Sequence, residues 1–136
     1  MENKLIVIIK DGLEIGKAMN ALSFAMLGFG ANVVEKEEIK LNKYEDAEGN
    51  VHKNISEMPI IVLRAGSNKI RTIKEKAKEI GLKFVDFVDT MSIGTYEEEY
   101  KLTKTKKDQE LEYWALVLFG DSEQLNELTG KLSLYK

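Results

Sequence analysis

The polar side chains best placed for chemistry are Lys17, Asn20, Ser23 and Asp89. The first three are spaced by three within a stretch rich in Ala, Leu and Met. On a helix, at about 100° per residue, that spacing drifts roughly 60° per step and traces a slanted polar seam. Buried without a partner, each of Asn20 and Ser23 would cost roughly 1–3 kcal/mol, so they are either partnered or line a cleft. Lys17 adds a cation near the start of the same helix, a place where a lysine is most often a solvated surface residue. Asp89 falls at the carboxyl end of an apolar run, where open α/β sheets commonly bind ligands, although it could equally cap the next segment.

Other chemistry is excluded or disfavoured by what the chain lacks. There is no Cys and a single His, His52, so thiol chemistry, thiolate metal sites and two-histidine metal sites are absent, and no Ser/His triad forms without His52. His52 has polar neighbours in a predicted turn and reads as an exposed bystander. Glu97, Glu98 and Glu99 are consecutive and cannot converge on one ion without unusual backbone geometry, so they read as a solvated face. Neither a metal nor a cofactor is expected. With 20 Lys and Arg against 23 Asp and Glu, the net charge of −3 gives no global reason for tight nucleic-acid binding. Lys101, Lys104, Lys106 and Lys107 make a modest basic run, but Asp108 and Glu110 follow at once.

The elements that must position these residues alternate. The 136 residues suit one domain spanning 1–136, with 43% apolar and 32% charged residues and one Pro marking a folded chain. Leu5 to Ile9 is a continuous β-branched run, predicting a central strand covered on both faces, too brief to span a membrane. Ile15, Ala18, Met19, Leu22, Met26 and Phe29 recur at helical spacing, and Ala21, Phe24, Ala25 and Leu27 widen the stripe, predicting a helix buried over much of its circumference. Residues 35–57 form a polar, acidic arm, irregular or a weak hairpin around Glu48-Gly49-Asn50. Ile60 to Leu63 is a second strand. Ser67 is a candidate cap for a surface helix through Ile70, Ile73, Ala77 and Ile80 that stops at Gly81. Leu82 to Val88 is a third strand, Asp89 to Glu110 a charged connection, and Leu111 to Phe119 a fourth and longer strand, in which Trp114 reads as packing. Asp121 with Gln124 resembles a capping box for a last short helix stopping at Gly130. The pattern predicts an α/β domain of three layers, α-β-α, with a mixed, roughly four-stranded sheet.

These residues carry a resemblance. The first strand, Asp11, and Gly16-Lys17 opening a helix with Ser23, Ala25 and Leu27-Gly28 look like the start of a type II peptidyl-tRNA hydrolase. Pro59 to Leu63, Ala77 to Leu82, Ala115 to Gly120 and Glu127 to Leu132 are similar to the same family in order and spacing. Tyr44 to Asn50 before Met58-Pro59 looks like an uncharacterised bacterial family, a domain of unknown function sharing that hydrolase fold. The opening apolar run lacks a small-residue cleavage site, so a cytoplasmic protein is expected, and the resemblance implies a possible homodimer, since the related hydrolases dimerise, with the long final strand near the interface. It implies Lys17 and Asp89 as catalytic residues, Asp89 activating water and Lys17 stabilising the developing oxyanion. Asn20, Ser23 and Thr95 would then be binding residues.

The departures bear most on function. Directly after the position matched by Ser23 the hydrolases carry a histidine, and here Phe24 stands there. Their Asp-Ala-Gly stretch and threonine-containing loop are represented by Asp89 to Thr95, in which Asp89 is kept. The reading is therefore a binding module for a small molecule or RNA, with a weak case for tRNA and no membrane partner. The alternative is a residual peptidyl-tRNA hydrolase, or another hydrolase using Asp89 and Lys17.

Overall fold

The computed structural model describes residues 2–136. Its elements run β1 (Asn3–Lys10), α1 (Ile15–Gly28), a π-helical turn (Phe29–Val33), β2 (Leu41–Glu45), β3 (Val51–Ser56), β4 (Ile60–Ala65), α2 (Ser67–Glu79) and β5 (Lys83–Val88). A 3-10 turn (Asp89–Ser92), α3 (Tyr96–Lys104), a second 3-10 turn (Asp108–Glu110), β6 (Tyr113–Asp121), α4 (Ser122–Thr129) and β7 (Ser133–Leu134) complete the chain.

The main sheet is ordered β5-β6-β1-β4-β7. It has five strands rather than roughly four, because the chain end adds β7 antiparallel to β4 at Leu63 and Arg64. β1 and β4 are parallel, whereas β6 is antiparallel to both β1 and β5, so the sheet is mixed. β1 is central as its β-branched run requires, with every residue from Leu5 to Ile9 buried. The alternation of side chains along β1 feeds two cores. Leu5, Val7 and Ile9 pack with α1 and the π-helical turn, while Ile6 and Ile8 pack with Ile70, Ile73 and Ala77 of α2 and Leu125 of α4. β6 is also central and is buried from Tyr113 to Phe119.

The arm at 35–57 contains a two-stranded antiparallel hairpin, β2–β3, separate from the main sheet. Its turn is set by Asp46, whose Oδ1 accepts from the Glu48 and Asn50 amides, and by Gly49 at φ +86°. α2 ends as its sequence predicts: Gly81 takes φ +77°, its amide donates to the Lys78 carbonyl, and the Leu82 amide donates to the Ala77 carbonyl. Asp121 caps α4 through Oδ2, which accepts from the Gln124 amide at 3.2 Å.

Three local expectations need correction. Ser67 does not cap α2; Gly66 is the cap residue, and the Ser67 hydroxyl instead accepts from the Tyr113 amide at 2.8 Å, joining α2 to the start of β6. The charged connection contains α3, held by a capping box in which Thr95 Oγ1 accepts from the Glu98 amide and Glu98 Oε1 accepts from the Thr95 amide. α1 is not buried over most of its circumference. Ala18, Ala21 and Ala25 face the sheet, and Ile15, Met19, Phe24 and Leu27 are exposed, because small side chains on the inner face bring the helix close to the sheet and leave the larger ones outside. No helix among the described residues is long and apolar enough to cross a membrane.

Candidate functional site

α1 places Lys17 and Phe24 two turns apart on one side of the helix. The Lys17 ammonium lies 5.7 Å from the centroid of the Trp114 ring, a cation–π arrangement. Phe24 stacks on Phe87 at 5.9 Å with 26° between planes, and Phe87 lies 6.0 Å from Trp114. The three rings come from α1, β5 and β6, and the antiparallel register of β5 and β6, with Phe87 opposite Ala115, sets Phe87 beside Trp114. Phe24 thus extends an aromatic stack from α1 and offers no proton.

Asp89 is half-buried and committed to the backbone. Its amide donates to the Glu112 carbonyl at 2.9 Å, and its Oδ1 accepts from the Glu112 amide at 3.0 Å, so it extends the β5–β6 pairing by one step. Glu112 in turn accepts the Trp114 indole N–H at 2.9 Å on Oε1, which lies 3.6 Å from Lys10 Nζ. Among the described residues Lys17 has no carboxylate in ion-pair contact. Lys17 and Asp89 therefore meet the same cluster from two sides, Lys17 on the Trp114 ring and Asp89 on the Glu112 backbone, without forming a pair.

The remaining sequence candidates divide. Asn20 is exposed on α1, and its side chain makes no hydrogen bond among the described residues. Ser23 is also exposed, and its hydroxyl donates to the Met19 carbonyl at 2.7 Å within its own helix. The seam is thus on the outer side of α1, and the cost of burying it does not arise. Thr95 caps α3, and the first turn of α3 holds Glu97, Glu98 and Glu99, where acidic side chains favour the helix dipole. His52 lies on the hairpin with Nε2 2.9 Å from Asp46 Oδ2; that contact, with the Asn50 amide, brings Asp46 down to about 2. Among the described residues no three His, Cys, Asp or Glu side chains come together as a metal site.

A second polar cluster, on the opposite face of the sheet, was not legible in the sequence. Tyr113 hydrogen-bonds Asp108 through its hydroxyl and carries two cations over its ring, Arg71 at 5.3 Å and Lys74 at 5.2 Å. Arg71 also donates to the Leu111 carbonyl at 2.6 Å, and Lys74 contacts Glu75 and Asp108. Burial, reinforced by the hydrogen bond to Asp108, pushes the Tyr113 hydroxyl up to about 12. Burial would lower Lys74, but the hydrogen bonds to Glu75 and Tyr113 outweigh it and hold Lys74 above the ordinary lysine value. Burial raises Asp86, with Asp108 adding to the rise and Lys74 opposing it. The only signal in the sequence is that Arg71 and Lys74 lie three apart on a helix; their partners, about 35 to 40 residues away, depend on the tertiary fold.

Comparison with known proteins gives the fold company and no activity. None of the curated proteins matches the sequence. Among solved structures, a protein of unknown function from Agrobacterium tumefaciens strain C58 is similar over 100% of this chain and 99% of that chain, with a TM-score of 0.85 at 22% identity. At that identity the likeness speaks for the fold alone. The family model described as "Protein of unknown function (DUF2000)" matches residues 3–136, and the chain belongs to that family.

Proposed function

We propose that this chain is a non-hydrolytic binding module on a scaffold similar to that of the type II peptidyl-tRNA hydrolases. The observation that carries the reading is that, among the described residues, Lys17 and Asp89 form no ion pair and each is engaged with a different partner. Activating water at neutral pH calls for a base within hydrogen-bond reach of it, and the oxyanion calls for donors aimed at the same point. The Asp89 carboxylate accepts the Glu112 amide, and the Lys17 ammonium stands over Trp114. Phe24 supplies no acid or base where the resembled family has an imidazole.

What the same surface offers is binding chemistry. Among the described residues Lys17 has no opposing carboxylate and the Asn20 amide no hydrogen bond, and Phe24 is exposed, all on one outward side of α1. That set suits a small anionic ligand carrying a flat group. It suits a long RNA less well, because neutralising many phosphates takes many cations and the chain is net acidic.

The test is cleavage of a labelled peptidyl-tRNA by the purified protein beside its Lys17→Ala and Asp89→Ala variants and an active type II hydrolase. The expected result is no turnover by any form of this chain while the active hydrolase cleaves. Turnover by the wild-type protein that both substitutions abolish, with circular dichroism unchanged, would replace the binding module with an enzyme. Titration with tRNA at rising salt adds a second arm: affinity that falls steeply with salt would mark phosphate contacts and restore a tRNA role.

A further inference from the structure

β1 and β4 are parallel neighbours, yet the helices that follow them leave to opposite faces of the sheet: α1 packs on Leu5, Val7 and Ile9, and α2 packs on Ile6 and Ile8. Where two adjacent parallel strands send their connections to opposite sides, the connections diverge and leave a crevice outside the carboxyl ends of the strands. In this chain that place is a cavity of about 450 Å³, bordered by Asp11 after β1, Arg64 and Gly66 at the end of β4, Lys69 on α2, and Lys131 and Ser133 near the chain end. The Asp11 amide donates to the Ala65 carbonyl at 2.9 Å, which ties the end of β1 to the end of β4 and holds the crevice in shape. A Cβ built on Gly66 would meet nothing within 4 Å, so the space beside it is open.

The charge lining the cavity is unbalanced. Arg64, Lys69 and Lys131 come from three separate parts of the chain and face one carboxylate, Asp11, whose Oδ1 is 3.9 Å from Arg64 Nε. Among the described residues Lys69 and Lys131 have no ion-pair partner. Gathering three like charges costs free energy unless an anion offsets it. Two positive charges in excess match a phosphate dianion better than a single carboxylate, and the planar guanidinium of Arg64 can bind phosphate oxygens in pairs. Nor does α2 satisfy its own first turn here, which has no acidic residue, while the Ser67 hydroxyl is turned to the Tyr113 amide.

We propose that this cavity binds the phosphate group of a small phosphorylated molecule, held by Arg64, Lys69 and Lys131 at the divergence of β1 and β4. The volume falls within the roughly 300–1,000 Å³ usual for small-molecule sites and leaves room for the body of the ligand beyond its phosphate. The cavity shares no residue with the Lys17–Trp114 surface, so the two readings stand or fall separately.

The experiment is two-dimensional amide NMR of the full chain at low, matched ionic strength, titrated with inorganic phosphate, then pyrophosphate, with acetate as the carboxylate comparison. Saturable shifts at the Gly66, Lys69 and Ser133 amides are expected, tighter for pyrophosphate than for phosphate and absent with acetate. A Lys69→Ala/Lys131→Ala variant should weaken binding at least tenfold. Arg64→Gln should also weaken it, and Lys17→Ala should leave it unchanged. Lys69 and Lys131 are exposed, and an unchanged spectrum elsewhere in the double variant verifies that it folds. Absence of saturation at these amides, an equal response to acetate, or unchanged binding in the double variant would overturn the proposal. A 5′-dephosphorylated RNA oligonucleotide that displaces pyrophosphate from these amides at equal phosphate concentration would overturn the small-molecule assignment; failure to displace it supports that assignment.

Discussion

The two helices that follow the parallel strands use the sheet in opposite ways. α2 buries Ile70, Ile73 and Ala77, turns Lys69, Lys76 and Lys78 outward, and is locked along one edge, through Arg71 and Lys74, to Tyr113 and the 3-10 turn at Asp108. α1 buries only three alanines and leaves Ile15, Met19 and Leu27 more than half exposed. The large apolar side chains of α2 are therefore used in folding, whereas those on the outside of α1 are not. The contrast explains why an amphipathic pattern predicts the orientation of α2 and misleads for α1: a stripe of alanines is a weak hydrophobic signal but an effective way to seat a helix close to strands.

The sharpest way to break this comparison is to shorten one large side chain on each helix. Ile73→Ala should cost about 2–5 kcal/mol, since it opens a cavity in the core. Met19→Ala should stay within about 0.5 kcal/mol of wild type. Urea unfolding followed by circular dichroism measures both, and equal losses would show that α1 is held by its outer face after all.

The polar lock on the α2 side gives the next effect. Tyr113→Phe removes the hydroxyl that hydrogen-bonds Asp108 and should destabilise by about 1.5–3 kcal/mol, the range for a bond to a charged group. The corresponding change near α1, Phe24→His, interrupts the stack on Phe87 and should cost about 0.5–1.5 kcal/mol. Phe24→His also places an imidazole beside Phe87, yet no cleavage of peptidyl-tRNA should appear, because the Asp89 carboxylate remains on the Glu112 amide. Turnover in that variant would sharpen the comparison in favour of an active-site ancestry for α1.

The smallest effect concerns Asp86, on the α2 side. Burial raises its pKa in the folded chain, so the unfolded chain releases this proton at lower pH than the folded one. Stability therefore falls as pH rises from the ordinary aspartate range through the raised value, and Asp86→Asn escapes that loss. The variant should melt above wild type at pH 7, with the gap closing as pH is lowered through this window. A gap independent of pH would show that the carboxylate is held charged by Lys74.

Local order in the sequence accounts for much of the fold. The strands, the end of α2 at Gly81, the cap of α4 at Asp121 and the hairpin turn at Gly49 all depend on residues within a few positions of one another. α3 was equally local, since Thr95 and Glu98 form its capping box, but the dense charge between Asp89 and Glu110 reads first as a connection. The site was less legible. The helical spacing of Lys17 and Asn20 is visible in the sequence, whereas the Phe24–Phe87–Trp114 stack and the Lys74–Tyr113 cluster join residues from separate elements.

The sequence by itself determined that this chain has a mixed α/β fold, which strand is central, and that no thiol and only one imidazole is available. Those properties follow from composition and from periods of two and 3.6 residues, which are local. Only the tertiary structure decided which candidates can act together. Asp89 meets Glu112 across 23 residues because β5 and β6 pair in one register, and Lys17 meets Trp114 because alanines set α1 close to that strand. Register and helix rotation are set by packing throughout the sheet, so the partner of each polar side chain was decided by the fold as a whole.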